Sequence, residues 1–138
     1  MKTPVLLLIL DGWGHSDKKK FNAIANAKTP NWDYLWRNFP STLIDASGLM
    51  VGLPKGQMGN SEVGHVSIGS GRIIHQDITR INESICTGKF HKNSVLNSTF
   101  INVKKSKNTL HILGLLSTGG VHSHENHIFE LINLAIEK

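Results

Sequence analysis

Cysteine is almost missing from this sequence: Cys86 stands alone among 138 residues. A single thiol excludes an internal disulfide framework and a zinc–cysteine cluster, and it suits a reducing cytoplasm. Long apolar runs are missing too. The longest, Val5 to Leu10, is interrupted at once by Asp11 and falls far short of the roughly 20 residues a membrane span needs. No small-residue cleavage site follows it, so no export signal is read and a cytoplasmic location is expected. Arginine is scarce, since twelve of the fifteen basic residues are lysine, whereas base readout favours the arginine fork. Lys18, Lys19 and Lys20 form one short run, and Lys104, Lys105 and Lys107 another. Neither is interleaved with aromatics as a single-strand platform requires, so no nucleic-acid partner is expected. Repeats and low-complexity tracts are absent.

The composition that is present is globular: 39% hydrophobic and 18% charged residues, which makes disorder a poor reading. The length suffices for one compact domain or two incomplete ones. A net charge of +5 favours anionic partners, phosphorylated metabolites included, without choosing among them.

Val5 to Leu10 is continuously apolar rather than alternating, the pattern of a parallel strand buried on both faces. Asp11-Gly-Trp-Gly14 ends it. Asn22 to Ala27 is helix-prone. Thr29 and Pro30 then start a helix as N-cap and first position, with Trp32, Leu35, Trp36 and Phe39 at helical spacing before Pro40. Thr42 to Asp45 predicts a second short strand, followed by a glycine-rich loop from Ala46 to Asn60. A helix is expected from Ser61, capped by Asn60 or Ser61 and broken by Gly69-Ser-Gly71. Ile78, Ile81 and Ile85 mark another helical face. Thr109 to Leu116 predicts the second convincing buried strand, leading through Ser117-Thr-Gly-Gly-Val-His122 into a helix carrying Ile128, Leu131, Ile132 and Ala135. The order is that of an α/β chain with ligand loops after its strands. Its last helix has no glycine cap and no following strand, and so few strands leave open sheet edges. This is the pattern expected of the N-terminal piece of a longer protein.

Three constellations could carry chemistry. Asp11, immediately after a predicted strand, is either a hard oxygen ligand for magnesium or manganese or a turn aspartate. Ser61 lies in Gln57-Met-Gly-Asn-Ser-Glu-Val-Gly-His65, where glycines and a helix start suit an approaching phosphate. It is either a plain N-cap or a nucleophile, and a serine hydroxyl needs a base or a metal to be activated. The block lacks the Gly-Lys-Ser/Thr ending of nucleotide-binding loops. It is not a Gly-x-Ser-x-Gly elbow either, because Val63 stands where the second glycine belongs. Finally, His122, His124 and His127 approximate a His-x-His-x-Asp-His zinc motif with Asn126 at the aspartate position. Alternatively, His122 contacts a substrate phosphate, and His124 and His127 serve capping and packing.

Taken together, the segments resemble the cofactor-independent phosphoglycerate mutases of the alkaline-phosphatase superfamily. The resemblance rests on Leu8-Ile-Leu-Asp-Gly-Trp-Gly14, Asn22-Ala-Ile24, Ala27-Lys-Thr-Pro30, Thr42-Leu-Ile-Asp-Ala-Ser-Gly48 and Val51-Gly-Leu-Pro54. It continues through the Ser61 block, which is its most specific part, then Gly71-Arg-Ile73, Gln76-Asp77, Gly114-Leu-Leu-Ser117 and Gly119-Gly-Val-His-Ser-His124. It runs from residue 5 to the last residue in order.

Such a resemblance implies an α/β architecture. Residues 1–75 would be the N-terminal part of a metal-binding, alkaline-phosphatase-like parallel-sheet domain, and residues 76–138 the start of an inserted α/β substrate (phosphotransferase) domain. Enzymes of this kind are glycolytic isomerases of the cytoplasm. As monomers, they interconvert 3-phosphoglycerate and 2-phosphoglycerate through a phosphoserine, using two manganese ions, with magnesium as the alternative. Ser61 matches the catalytic serine and a metal ligand, Asp11 matches a metal ligand, and His122 matches a substrate-binding histidine. The remaining ligands and the substrate arginines have no counterparts here, so these 138 residues alone are expected to be inactive. Two other functions stay open on the residues: a zinc metallohydrolase built on His122, His124 and His127, and a non-catalytic anion-binding module.

Overall fold

The structure, a computed structural model, describes residues 3–138. Its regular elements are helices: α1 (Ala23–Asn26), α2 (Pro30–Asn38), α3 (Ser61–Ser70), α4 (Asp77–Cys86), α5 (Ser94–Ser106) and α6 (Glu125–Glu137), with 3₁₀ turns at Gly48–Val51 and Phe90–Lys92.

Local signals explain most of them. Asn22 caps α1 by accepting from the Ala25 N–H at 3.0 Å. Pro30 opens α2, and the Thr29 hydroxyl donates to Asp33 Oδ1 at 3.1 Å instead of capping the backbone. Trp32 and Trp36, one turn apart, stack with ring centroids 5.8 Å apart. Trp13 meets Trp32 at 5.4 Å and His15 stacks on Trp36 at 5.8 Å. This aromatic ladder ties the loop after Leu10 to α2, and such pairs add about 0.5–1.5 kcal/mol each beyond their burial. Helix α5 has no counterpart among the expected elements. Its signal is Asn93, which accepts from the N–H groups of Val95 and Leu96, ahead of Leu96, Phe100 and Val103 at helical spacing.

The three expected strands do not form. No strand exists among the described residues; one isolated antiparallel bridge joins Ser47 to Met58 in the glycine-rich loop. Val5, Leu6 and Leu113 are 95%, 85% and 93% exposed. The apolar composition of Val5–Leu10, Thr42–Asp45 and Thr109–Leu116 is that of buried strands. A strand, however, exists only where a second segment supplies ladder hydrogen bonds and other elements cover its faces. Among the described residues neither condition is met.

Burial instead concentrates in two places. Val51, Leu53 and Val63 form a small core between the first 3₁₀ turn and α3, and Leu134 of α6 is fully enclosed. The Gly52 carbonyl docks the start of α4 on that turn, accepting from Gln76 N–H at 2.8 Å and from the buried Thr79 hydroxyl at 2.7 Å. Helix α6 is fastened to the Phe90–Lys92 turn by His91, whose Nε2 lies 2.5 Å from Glu130 and whose Nδ1 lies 3.0 Å from Glu137. The hydrogen bond to Glu130, then that to Glu137, raises the His91 pKa above 6.5. A raised histidine pKa stabilises the fold fully below the unfolded value, and the contribution is lost as pH rises through the folded value. The melting temperature of His91→Gln should therefore fall furthest below wild type at pH values under 6.5, and the gap should close as pH rises through the raised folded-state value. A gap that does not vary with pH would show that the clasp is not ionic.

Candidate active site

The start of α3 carries the most informative geometry. Asn60, not Ser61, is its N-cap: Asn60 Oδ1 accepts from Val63 N–H at 3.0 Å. The serine hydroxyl is thereby spared from capping. Ser61 Oγ instead donates to Asp11 Oδ2 at 2.7 Å, across a separation of 50 residues. Carboxylate and hydroxyl, one after the Val5–Leu10 segment and one on the first turn of α3, converge at an exposed point over a helix N-terminus. The dipole and free N–H groups of that terminus favour negative charge. One turn further along α3, His65 Nδ1 lies 3.1 Å from Ser61 Oγ and 2.8 Å from the Ser61 carbonyl oxygen. Sequence reasoning missed this histidine, although a spacing of four places two helical side chains on one face.

His122 lines a cleft of about 340 Å³ together with Asn60 and Glu62, the neighbours of Ser61, and with Gln76, His124 and His127. Asp11 and Ser61 themselves are not part of that lining. The other two histidines are engaged elsewhere. His124 caps α6, with its Nδ1 accepting from Asn126 N–H at 3.2 Å. His127 Nε2 bonds Asn82 Oδ1 at 2.7 Å. Burial, then the charge on His124, lowers the His127 pKa below 6.5, so its neutral form is held. Two of the three imidazoles thus spend a ring nitrogen on structure. Among the described residues no group of three His, Cys, Asp or Glu side chains is placed to hold a metal ion. The zinc reading of His122, His124 and His127 is corrected accordingly: the spacing is that of a metal motif, but the helix cap and the Asn82 bond turn the rings to other partners.

The profile of the metalloenzyme superfamily matches residues 3–132. The chain belongs to the metalloenzyme superfamily. Membership supports the α/β class expected from the sequence, although the sheet itself is not formed among the described residues. This metalloenzyme-superfamily chain is 57% identical, over all 138 of its residues, to the 2,3-bisphosphoglycerate-independent phosphoglycerate mutase of Francisella tularensis subsp. novicida, covering 27% of that protein. It is also 57% identical over 135 residues to the enzyme of the same name from Legionella pneumophila strain Corby, covering 26% of it. The chain thus spans about a quarter of the length of the curated relatives it matches. No helix among the described residues is long and apolar enough to cross a membrane.

Superfamily membership implies a metal cofactor. The convergent Asp11 carboxylate and Ser61 hydroxyl fit a hard divalent cation in kind, because both donors are oxygens. In number they supply two of the roughly six ligands such a cation takes.

Proposed function

We propose that this chain is the N-terminal part of a phosphoglycerate mutase that moves a phosphoryl group between the 3- and 2-hydroxyls of glycerate through a phosphoserine at Ser61. One observation supports this reading above the others: the Ser61 hydroxyl is free of capping duty and held 2.7 Å from Asp11. The relatives' names supply the substrate class. In the forward step Ser61 Oγ bonds to phosphorus, the P–O bond to the glycerate 3-oxygen breaks, and the serine proton ends on that oxygen. The return step runs the same exchange with the 2-hydroxyl. His122, in the cleft beside the start of α3, would donate to a phosphate oxygen, and the α3 N-terminus favours the same charge.

Asp11 and Ser61 would hold one of two manganese ions, with magnesium as the alternative. A bound divalent cation lowers the pKa of a coordinated hydroxyl and neutralises phosphoryl charge. The finer architecture is part of the same proposal. Residues 1–75 would contribute to a parallel-sheet, phosphatase-like domain in which Val5–Leu10 and Thr42–Asp45 become strands. Residues 76–138 would begin the substrate domain, in a cytoplasmic and monomeric enzyme.

The test is to incubate a full-length protein carrying these residues with manganese and 3-phosphoglycerate, quench it in acid, and map phosphorylated peptides by mass spectrometry. Phosphoserine at Ser61 is expected. Turnover with no phosphate on Ser61 would overturn the assignment.

A further inference from the structure

We propose that His65 is a positioning residue for Ser61, its Nδ1–H donating at once to the Ser61 carbonyl and to Ser61 Oγ. The inference rests on the mutase reading for its kinetic consequence, but its geometry stands apart from that reading.

Proton bookkeeping fixes the direction. A serine hydroxyl has one proton, and the 2.7 Å contact with the acceptor-only Asp11 carboxylate commits it. His65 Nδ1 lies 2.8 Å from the Ser61 carbonyl oxygen, which can only accept, and 3.1 Å from Oγ, whose proton is already used. A bare nitrogen lone pair there would face two oxygens with no hydrogen between them. Nδ1 therefore carries a proton and shares it between both oxygens. Three consequences follow. The hydroxyl is held from two sides, by Asp11 as acceptor and His65 as donor, which selects one rotamer and leaves one Oγ lone pair for the cation, while loss of the serine proton frees the pair that attacks. His65 is no base toward Ser61, since the nitrogen facing it is occupied. As charge grows on Oγ during attack, the Nδ1–H bond becomes charge-assisted and strengthens, the condition for a group to act on the transition state more than on bound substrate.

Asparagine places its amide nitrogen on the same Cγ that bears Nδ1 in histidine, whereas glutamine places its amide nearer the Nε2 position. The full-length protein carrying these residues should lose about 10²-fold in kcat as His65→Ala or His65→Gln, the usual effect of removing one donor from a developing oxyanion. His65→Asn should recover to within about tenfold of wild type, with KM for 3-phosphoglycerate unchanged throughout. Equal losses in the alanine and asparagine variants, or a loss confined to KM, would overturn the proposal. Ring nitrogen NMR of the wild-type protein without added metal gives a readout independent of turnover: an Nδ1–H tautomer is expected at His65, and an Nε2–H tautomer overturns the proposal whatever Ser61 does. An Nδ1–H tautomer with no phosphate ever found on Ser61 would instead sink the mutase reading and leave the hydrogen-bond assignment standing.

Discussion

Ser61→Ala in a full-length protein carrying this segment is expected to abolish phosphoenzyme and to lower turnover by at least about 10⁴-fold, the scale seen when a covalent nucleophile is deleted. The same change should leave α3 nearly untouched. Asn60 supplies the N-cap bond to Val63, and Ser61 is exposed and uses its side chain only toward Asp11 and His65. An exposed substitution away from caps and core alters stability by no more than about 0.5 kcal/mol. Asn60→Ala is the complementary control. It removes the cap, at about 1 kcal/mol, but keeps the hydroxyl, so labelling should persist on a less stable protein. Denaturant melts and acid-quenched labelling of both variants separate the two roles. If Ser61→Ala still forms phosphoenzyme, or if its turnover loss is matched by Asn60→Ala, Ser61 is a structural residue and the mutase chemistry lies elsewhere.

The same pair of residues shows what a sequence can and cannot convey. That a helix begins near position 61 is legible, because capping chemistry is local and is written into Asn60, Ser61 and Glu62. Which of the two caps the helix is not legible, because the choice depends on Asp11 arriving from 50 residues away to claim the serine. His65 sits at a readable helical spacing, yet the tautomer that gives it meaning depends on where the serine proton points. The histidine cluster fails in the opposite direction. Its spacing mimics a zinc motif, but His124 is taken by the backbone of α6 and His127 by Asn82, partners that no local pattern specifies. The expected strands are not formed among the described residues, and for the same reason. Apolar runs at Val5–Leu10 and Thr109–Leu116 specify what a strand would bury, whereas the ladder that makes a strand comes from residues distant in sequence. The caps and apolar spacings of α1, α2, α3, α4 and α6 are local and were legible, and those of α5, equally local, were passed over.

Gly52→Ala is expected to be among the most damaging small substitutions in the segment. Gly52 has φ of +79°, and a Cβ added there would stand 1.9 Å from the Ile74 carbonyl oxygen and 2.7 Å from its carbon. Both are backbone atoms, so no rotamer change relieves the overlap, and the turn must separate from the segment leading into α4. That separation breaks the bonds from Gln76 N–H and the Thr79 hydroxyl to the Gly52 carbonyl. It also opens the Val51, Leu53 and Val63 core and displaces Gln76 from the cleft it shares with His122. Gly56 provides the control, with φ of +83° but no atom within 4 Å of an added Cβ. Gly56→Ala should therefore cost only the left-handed backbone strain, about 1–2 kcal/mol, while Gly52→Ala should cost about 4 kcal/mol or more. In the full-length protein, Gly52→Ala should also weaken substrate binding through the displaced cleft, an effect that Gly56→Ala should not share. Urea melts and limited proteolysis of the two variants decide the matter. Equal stability losses would mean that the close approach of Gly52 to Ile74 does not anchor α4, and that the cleft is positioned by some other contact.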